Sequence, residues 1–155
     1  MELVTFIKHF ESYSPTVYIC PGGARTIGYG HVLTPGEKMT RVTAAKASDM
    51  LQNDLLGVRY GLARLIRVPL KPYQMDALTS FAFNAGVGAF QASRLRQCVN
   101  GEEHEEAAEE FLRWVYAGGQ KLNGLVKRRT LESYWYQNKL KGFSVETSSV
   151  EGSPA

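Results

Sequence analysis

The sequence predicts a mostly helical α+β fold, in which a long helix joins a small β-hairpin lobe near the N-terminus to a larger helical lobe. Three observations support this prediction. Two β-prone runs flank a Pro-Gly-Gly turn at residues 21–23, which is a hairpin pattern. Apolar residues recur at helical spacing before the hairpin and through most of the chain after it. A long helical pattern begins at Thr40 or Thr43 and can provide the connection.

The composition is that of an ordinary domain. The 155 residues are 44% hydrophobic and 21% charged, which is sufficient for a core. The net charge of +3 is mild; it suits an anionic polymer such as a bacterial cell wall but does not select one. No Lys/Arg block with interleaved aromatic residues occurs, so we expect no nucleic-acid partner.

The cysteines and the N-terminal residues bear on the compartment. Cys20 and Cys98 are too few for a disulfide scaffold, and we expect free thiols, with a bridge between the two as the alternative. Residues 1–11 lack an apolar core long enough for a signal peptide, and no window approaches a membrane span. The sequence therefore predicts accumulation in a reducing cytoplasm.

The first predicted helix is about ten residues long and has Glu11 at its C-terminal end. Its apolar face consists of Leu3, Phe6, Ile7 and Phe10. The helix dipole disfavours a negative charge at this end. Apolar neighbours would act in the same direction by desolvation, whereas an adjacent arginine would oppose both effects. We hypothesise that Glu11 holds a proton when a reaction starts, as a general acid must.

The hairpin brings a thiol and a hydroxyl towards that acid. If the turn lies at residues 21–24, Cys20 and Thr26 are near-opposite on the two arms and both can point at Glu11. Hydrolysis of an acetal needs an acid that protonates the leaving oxygen and a group that holds or replaces the attacking water. Gly28 and Gly30 lack side chains and would leave room for a bulky substrate.

Two helices follow the hairpin and its adjoining loop. The long helix ends before Pro69, and its apolar stripe indicates core packing. The stripe consists of Ala47, Met50, Leu51, Leu55, Val58, Leu62 and Leu65. Pro72 suits the first turn of the next helix, which apolar residues nearly surround and which we expect to be the buried centre of the larger lobe. Gly86 and Gly88 predict its end.

Shorter helices are predicted beyond residue 90. Ser93 can cap a helix over residues 94–99. The acidic run at residues 102–110 is typical of a solvated helix face. His104 lies within that run, but the spacing matches no metal motif, so we expect no metal site. Trp114 is predicted to anchor the core.

The final helix is predicted over residues 124–140. Its apolar side carries Leu125, Leu131, Tyr134 and Trp135, and its basic side Lys127, Arg128 and Arg129. The basic residues have two interpretations: a solvated face, or an arginine that reaches a cleft and orients Glu11 or contacts a saccharide. The polar, aperiodic residues 142–155 predict a disordered tail.

The spacing of Glu11, Cys20 and Thr26 also supports a resemblance. The run IKHFESYSPTVYICPGGARTIGYGH resembles the N-terminal signature of the phage-type lysozymes, glycoside hydrolase family 24. In that family Glu, eight residues, Asp or Cys, five residues and Thr precede a TIGYGH-like run, and this chain is similar to the Cys-bearing branch. Residues 74–90 and 111–129 also resemble family segments, so the resemblance covers roughly residues 3–140.

The resemblance implies a lysozyme-like fold with a cleft between its lobes. The catalytic domain is then expected at residues 1–141. Its small β lobe would span about residues 13–39, and its helical lobe about residues 68–141 together with residues 1–12.

The resemblance further implies an endolysin muramidase that hydrolyses the β-1,4 bond between N-acetylmuramic acid and N-acetylglucosamine in peptidoglycan. Glu11 would be the general acid, while Cys20 and Thr26 place the water and give inversion; a Cys20 thiolate acting as nucleophile would give retention. The residues expected to bind substrate or support the site are Tyr18, Gly28, Tyr29, Gly30, His31, Asn84 and Arg128. No cofactor is expected.

The resemblance also implies how the chain meets its substrate. Its partner would be bacterial peptidoglycan, and a membrane pore protein would let it leave the host cytoplasm at lysis. We expect it to act as a monomer.

Two other functional classes fit these residues. In a thiol-dependent amidase or peptidase of the cell wall, Cys20 would be the nucleophile and His31 the base. In a non-catalytic wall-binding module, the fold would persist without turnover, although the full set of Glu11, Cys20 and Thr26 argues against that class.

Overall fold

The computed structural model describes residues 1–140, so the predicted tail at residues 142–155 lies outside the described residues. The described helices are α1 (Leu3–Glu11), α2 (Ala44–Leu65), α3 (Pro72–Ala85), α4 (Val87–Gln91), α5 (Arg94–Asn100), α6 (His104–Phe111) and α7 (Asn123–Tyr136). The strands are β1 (Ser14–Ile19), β2 (Arg25–Gly28), β3 (His31–Val32), β4 (Tyr116–Ala117) and β5 (Gln120–Lys121). The predicted mostly helical α+β class is confirmed.

Strands β1, β2 and β3 form an antiparallel sheet in that order. The predicted hairpin exists, but its register differs from the expected one, because Thr26 is paired with Tyr18 and not with Cys20. The amide of Cys20 donates to the carbonyl of Ala24 at 3.0 Å and closes the turn. Cys20 therefore lies just beyond the end of β1, diagonal to Thr26.

Helix α2 joins two apolar clusters. Thr43 accepts a hydrogen bond from the amide of Lys46 and caps the helix, which selects Thr43 over Thr40 as its start. Near this end Ala47 packs with Ile27 of β2 in the smaller cluster. Further along, Leu51, Leu55 and Leu62 enter the larger cluster, so the predicted stripe is core.

Helix α3 lies at the centre of the larger cluster. It begins with Pro72 in its first turn and ends at Gly86, whose φ of +102° is accessible to glycine. Its buried residues are Gln74, Ala77, Leu78, Thr79, Ser80, Phe81 and Ala82. The prediction that Gly88 helps end this helix is wrong, because Gly88 lies inside the short helix α4.

Helix α7 packs beside α3 and ends at Tyr136, four residues before the predicted end. Arg128 and Arg129 are buried, so their interpretation as a solvated face is wrong. Tyr134 is 47% exposed, contrary to its predicted apolar environment. Propensity alone did not reveal which charged residues of this helix meet a partner inside the protein.

Most of the acidic run lies in α6, and its glutamates are exposed with one exception. Glu110 is buried and pairs with Arg94 at 3.2 Å and Arg113 at 3.4 Å. His104 lies 2.7 Å from the hydroxyl of Tyr136. Across residues 1–140, no group of three or more His, Cys, Asp or Glu side chains is arranged to hold a metal ion.

None of the helices described is both long and apolar enough to cross a membrane.

Candidate active site

A cleft of about 280 Å³ lies where the sheet, the end of α3 and α7 meet. Six of the residues predicted from the sequence line it: Glu11, Tyr18, Cys20, Thr26, Gly30 and Asn84. The remaining wall is largely apolar and includes Val32, Phe83, Trp114, Tyr116, Leu122 and Leu125. The cleft therefore combines the carboxyl group of Glu11, the thiol of Cys20 and the hydroxyl of Thr26 with a largely apolar wall, as a ligand site requires.

Glu11 is the last residue of α1 and is only 7% exposed. Its Oε1 accepts a hydrogen bond of 2.6 Å from Nη1 of Arg128. Its Oε2 lies 2.7 Å from the point at which a Cβ on Gly30 would lie. Among the described residues, no hydrogen bond to Oε2 is present, so this oxygen is available to a group in the cleft.

Arg128 is fully buried behind Glu11. Its Nε donates to Glu132 at 3.3 Å, and its Nη2 donates to the carbonyl of Ser80 at 3.3 Å. Burial alone disfavours the charged guanidinium, but the charges of Glu11 and Glu132 outweigh burial and raise the pKa of Arg128. This arginine is thus shared between two carboxylates.

Arg129 connects the same network to the cleft wall. Its Nη1 donates to Glu132 at 2.6 Å, its Nε to the carbonyl of Trp114 at 2.9 Å, and its Nη2 to Oδ1 of Asn84. Because the amide oxygen of Asn84 is occupied, its NH₂ group is the part left to donate elsewhere. A buried ionic network thereby fixes Asn84 as well as Glu11.

Tyr18, Cys20 and Thr26 lie across the cleft from this network. The Thr26 hydroxyl is nearly fully buried and donates to the carbonyl of Ala24 at 3.0 Å. Burial, followed by the charges of Glu11 and Cys20, raises the pKa of Tyr18 to about 12, so its phenol keeps its proton at neutral pH. Cys20 is a half-buried free thiol.

Two glycines and a tyrosine expected near the substrate have other surroundings. A Cβ on Gly28 would lie 3.1 Å from Cβ of Ala47, so Gly28 permits contact with α2 and does not open the cleft. The space beside Gly30 is filled by the carboxylate of Glu11. Tyr29 packs 5.7 Å from the ring of Tyr13 and is absent from the residues that line the cleft.

His31 also lies outside the cleft lining. Its Nδ1 is 2.7 Å from Asp54 of α2, and its Nε2 is 2.9 Å from Glu37 in the loop after β3. Both ring nitrogens are therefore engaged with carboxylates. The histidine joins the sheet, the loop and α2.

Glu132 and Ser80 were not predicted as part of the site, and the apolar wall was predicted only as core or turn. Glu132 is fully buried between Arg128 and Arg129. The spacing of four residues from Arg128 to Glu132 was a usable signal, since such pairs meet on a helix. Ser80 offered no comparable signal, because an apolar helix face commonly includes a serine.

Comparison with known proteins gives one consistent family. The family model for phage lysozyme matches residues 8–132. The endolysin of Bacillus phage B103 is 36% identical over 153 residues, which cover 97% of this chain and 58% of that endolysin. The SAR-endolysin of Escherichia phage Mu is 39% identical over 124 residues, covering 80% of this chain and 72% of the relative.

Solved structures agree with this result. The muramidase domain of SpmX from Asticaccaulis excentricus has a TM-score of 0.76 at 36% identity, over 86% of this chain and 93% of that one. A P22 lysozyme structure has a TM-score of 0.71 at 33% identity, over 87% and 94% of the two chains. These likenesses confirm the predicted lysozyme-like fold.

Proposed function

Since the chain belongs to the phage lysozyme family, we propose that it is an endolysin muramidase, which hydrolyses the β-1,4 bond between N-acetylmuramic acid and N-acetylglucosamine in bacterial peptidoglycan. The observation that supports this most is the environment of Glu11. Arg128 binds one oxygen of its carboxyl group at 2.6 Å, and the other oxygen is available in the cleft. A fixed acid beside a sugar-sized cleft is what glycoside hydrolysis requires.

Glu11 acts as the general acid. As the glycosidic bond breaks towards an oxocarbenium-like state, Oε2 of Glu11 delivers a proton to the bridging oxygen. The contact from Arg128 fixes the rotamer of the side chain, so the proton is held in one direction. Gly30 admits the carboxyl group, because any side chain there would overlap with Oε2.

Thr26 and Cys20 place the attacking water. The Thr26 hydroxyl donates its proton to Ala24, so its lone pairs remain to accept a hydrogen bond from water. Cys20 lies diagonal to Thr26 and also lines the cleft. A water held on the face of the sugar opposite to Glu11 gives inversion at the anomeric carbon.

The saccharide is held by other residues that line the cleft. Trp114 and Tyr116 offer aromatic faces to the apolar faces of sugar rings. The amide NH₂ of Asn84 and the phenol of Tyr18 are donors suited to N-acetyl and hydroxyl oxygens. The substrate is thus recognised by a few oriented polar groups within an apolar surface.

The biological setting is part of the same proposal. This chain spans 58% of the length of the Bacillus phage B103 endolysin. The partners proposed here are therefore those of the part of such an endolysin that this chain matches. We expect a monomer that resides in the host cytoplasm until lysis, passes a membrane pore protein and then degrades the wall. The lobe bounds expected from the sequence, and the roles of the site residues, likewise stay predictions.

Mass spectrometry of digested peptidoglycan tests this function. We expect saccharide fragments with new reducing ends at N-acetylmuramic acid, and loss of these fragments in Glu11→Gln. Glu2→Gln is the matched control, since Glu2 lies at the other end of α1 and is exposed. Freed peptide stems would instead indicate an amidase, and an intact polymer would indicate a binding module.

The amidase alternative has no observation in its favour. It needs His31 as a base for Cys20, but both nitrogens of His31 are bound to Asp54 and Glu37. Under that alternative, Glu11→Gln would leave turnover nearly unchanged while iodoacetamide abolished it.

A further inference from the structure

Arg41 lies beside the first strand of the sheet, on a backbone that hydrogen bonds hold in place. The amide of Val42 donates to the carbonyl of Pro15 at 3.0 Å, and the carbonyl of Val42 accepts from the hydroxyl of Tyr13 at 2.6 Å. The next residue, Thr43, caps α2. Arg41 itself is exposed, so a fixed segment of backbone presents this side chain to solvent.

The pairing of Arg41 with Thr16 shows which face of the sheet the arginine occupies. The two residues form an antiparallel bridge. The adjacent hydrogen bond from Val42 to Pro15 makes them a non-hydrogen-bonded pair, in which the side chains lie closest. Val42 is buried in the smaller apolar cluster. Because successive side chains of a strand point to opposite faces, Arg41 and Thr16 lie on the face turned away from that cluster.

The same face of the sheet lines the cleft. Val17 packs against the smaller apolar cluster, whereas Tyr18, the next residue of β1, lines the cleft. Thr16 therefore shares the face of Tyr18. Neighbouring strands are about 4.8 Å apart, and a strand rises about 3.3 Å per residue. Arg41 is thus one strand away and two residues along from Tyr18, where its long side chain can reach a group bound beside the cleft.

The guanidinium of Arg41 has no partner within residues 1–140, since neither an ion pair nor a hydrogen bond of this side chain is present there. Residues 12–71, which include the sheet and α2, contain eight Lys or Arg but three Asp or Glu. Two of these three acids, Glu37 and Asp54, contact His31. The positive charge beside the cleft is therefore left to attract an anion from outside the protein.

We infer that Arg41 is a specificity-determining residue, which binds a carboxylate of the peptide stems attached to N-acetylmuramic acid. This role deepens the proposed muramidase function and depends on it. The sugar rings occupy the cleft, and a stem that leaves the glycan on the β1 side passes the face that carries Thr16 and Arg41. The planar fork of a guanidinium matches the two oxygens of a carboxylate.

Arg25 provides a matched control. It is an exposed arginine of the same sheet, and its side chain has no ion pair with any residue in the described part of the chain. It precedes Thr26, which lines the cleft, and is paired with Ile19. Arg25 therefore lies on the opposite face of the sheet, and its removal changes the net charge as much as removal of Arg41 does.

Hydrolysis of one substrate in two charge states tests the role of Arg41. Soluble peptidoglycan strands, purified free of phosphate polymers, are used unchanged or after carbodiimide coupling of their carboxyl groups to methylamine, which leaves neutral amides. We expect the wild-type kcat/KM to be about two- to fivefold higher on the charged strands, as for an exposed ion pair, with the difference in KM. Because exposed charges are screened by salt, this preference should shrink as ionic strength rises.

Arg41→Gln should remove the preference by lowering kcat/KM on the charged strands to the value on the amidated strands. Arg41→Lys should retain part of the preference, because it keeps the charge but not the fork. Arg25→Gln should retain all of it. Urea unfolding shows whether each variant is folded. If Arg41→Gln does not fold, Thr16→Glu decides, because a glutamate paired directly with Arg41 would occupy its guanidinium and abolish the preference, whereas Thr16→Gln would not.

Three results would overturn the role of Arg41. These are a wild type that does not distinguish the two substrates, an Arg41→Gln variant that keeps the preference or loses activity equally on both, and an Arg25→Gln variant that loses the preference as fully. Failure of the proposed function looks different, since the wild type would then release no saccharide ends from either form of the strands.

Discussion

Glu11 and Arg128 are 117 residues apart in sequence, yet Oε1 of the acid and Nη1 of the arginine are 2.6 Å apart. The contact joins the end of α1 to α7. Arg128 also donates to Glu132 and to the carbonyl of Ser80. The final helix therefore fixes the acid that the first helix supplies.

Arg128→Met should be strongly destabilising. It leaves Glu11 and Glu132 buried without their shared partner, and breaking a buried ion pair in this way costs about 3–5 kcal/mol. Urea unfolding gives the change in the free energy of unfolding. The adjacent Lys127 is exposed, so Lys127→Met should change that free energy by at most about 0.5 kcal/mol. Equal effects of the two variants would refute a special role for Arg128.

Gly30→Ala should reduce activity more than stability. The new Cβ would lie 2.7 Å from Oε2 of Glu11, and the backbone φ of +75° is strained for alanine by about 1 kcal/mol. The carboxyl group would have to move away from the bridging oxygen, so the release of reducing ends should fall steeply.

Gly57→Ala provides the control for this variant. Gly57 lies within α2, and nothing lies within 4 Å of the Cβ that it would gain. We expect stabilisation by about 0.5–1 kcal/mol, because alanine is the better helix former, with unchanged turnover. Wild-type activity in Gly30→Ala would show that the carboxyl group tolerates displacement.

Local patterns were sufficient to predict the hairpin and the helix caps. Thr43 and Ser93 cap helices because their hydroxyl groups accept from nearby amides. Period-two alternation put Thr26 on the face of the hairpin that meets Glu11. The predicted register was wrong by two residues along β1, because Cys20 is paired with Ala24 across the turn and Thr26 therefore lies opposite Tyr18.

The burial of the charged residues could not be predicted from local sequence patterns. Lys127, Arg128 and Arg129 are consecutive, yet the first is exposed and the other two are buried. What distinguishes them is the position of Glu11 and Asn84, which come from distant segments. Gly28 was misassigned for the same reason, since its neighbour Ala47 belongs to another element.

The stability of the protein should depend on pH through His31. Burial opposes protonation of this ring, but its hydrogen bonds to Asp54 and Glu37 outweigh burial and raise its pKa. A group whose pKa is raised on folding stabilises the folded state below its unfolded pKa, about 6.5. That stabilisation is lost as pH rises through the folded pKa, with a slope of at most about 1.4 kcal/mol per pH unit.

Asp54→Asn should flatten this dependence. The free energy of unfolding would be measured by urea titration from pH 5 to pH 9. Asp49→Asn is the control, because Asp49 is exposed on the same helix, and it should keep the wild-type slope. A wild-type slope in Asp54→Asn would show that His31 is not the cause of the pH dependence.

The acid side of the stability profile depends on Glu37. Hydrogen bonds from Thr34 and His31 lower the pKa of Glu37 to about 2. The stabilisation of the folded state by this carboxylate is therefore lost only as pH falls from about 4.5 towards that value.

The two cysteines should differ sharply in reactivity. Cys20 is half-buried at the cleft. Cys98 is 3% exposed, and burial, with the charges of nearby glutamates, raises the pKa of its thiol despite Arg94. Thiolate is the reactive form, so iodoacetamide should modify Cys20 first, as peptide mass mapping would show. Faster modification of Cys98 would contradict the described burial.

Modification of Cys20 should block wall hydrolysis because the added group fills the cleft. The variant Cys20→Asp distinguishes this steric block from the loss of a nucleophile. Cys20→Asp keeps a group that can hold a water, so we expect it to lose less than the factor of about 100 that removal of an acid or base typically costs. It should also become insensitive to iodoacetamide. If Cys20→Asp were as inactive as Glu11→Gln, the thiol itself would be required and the water-placing role of Cys20 would be wrong.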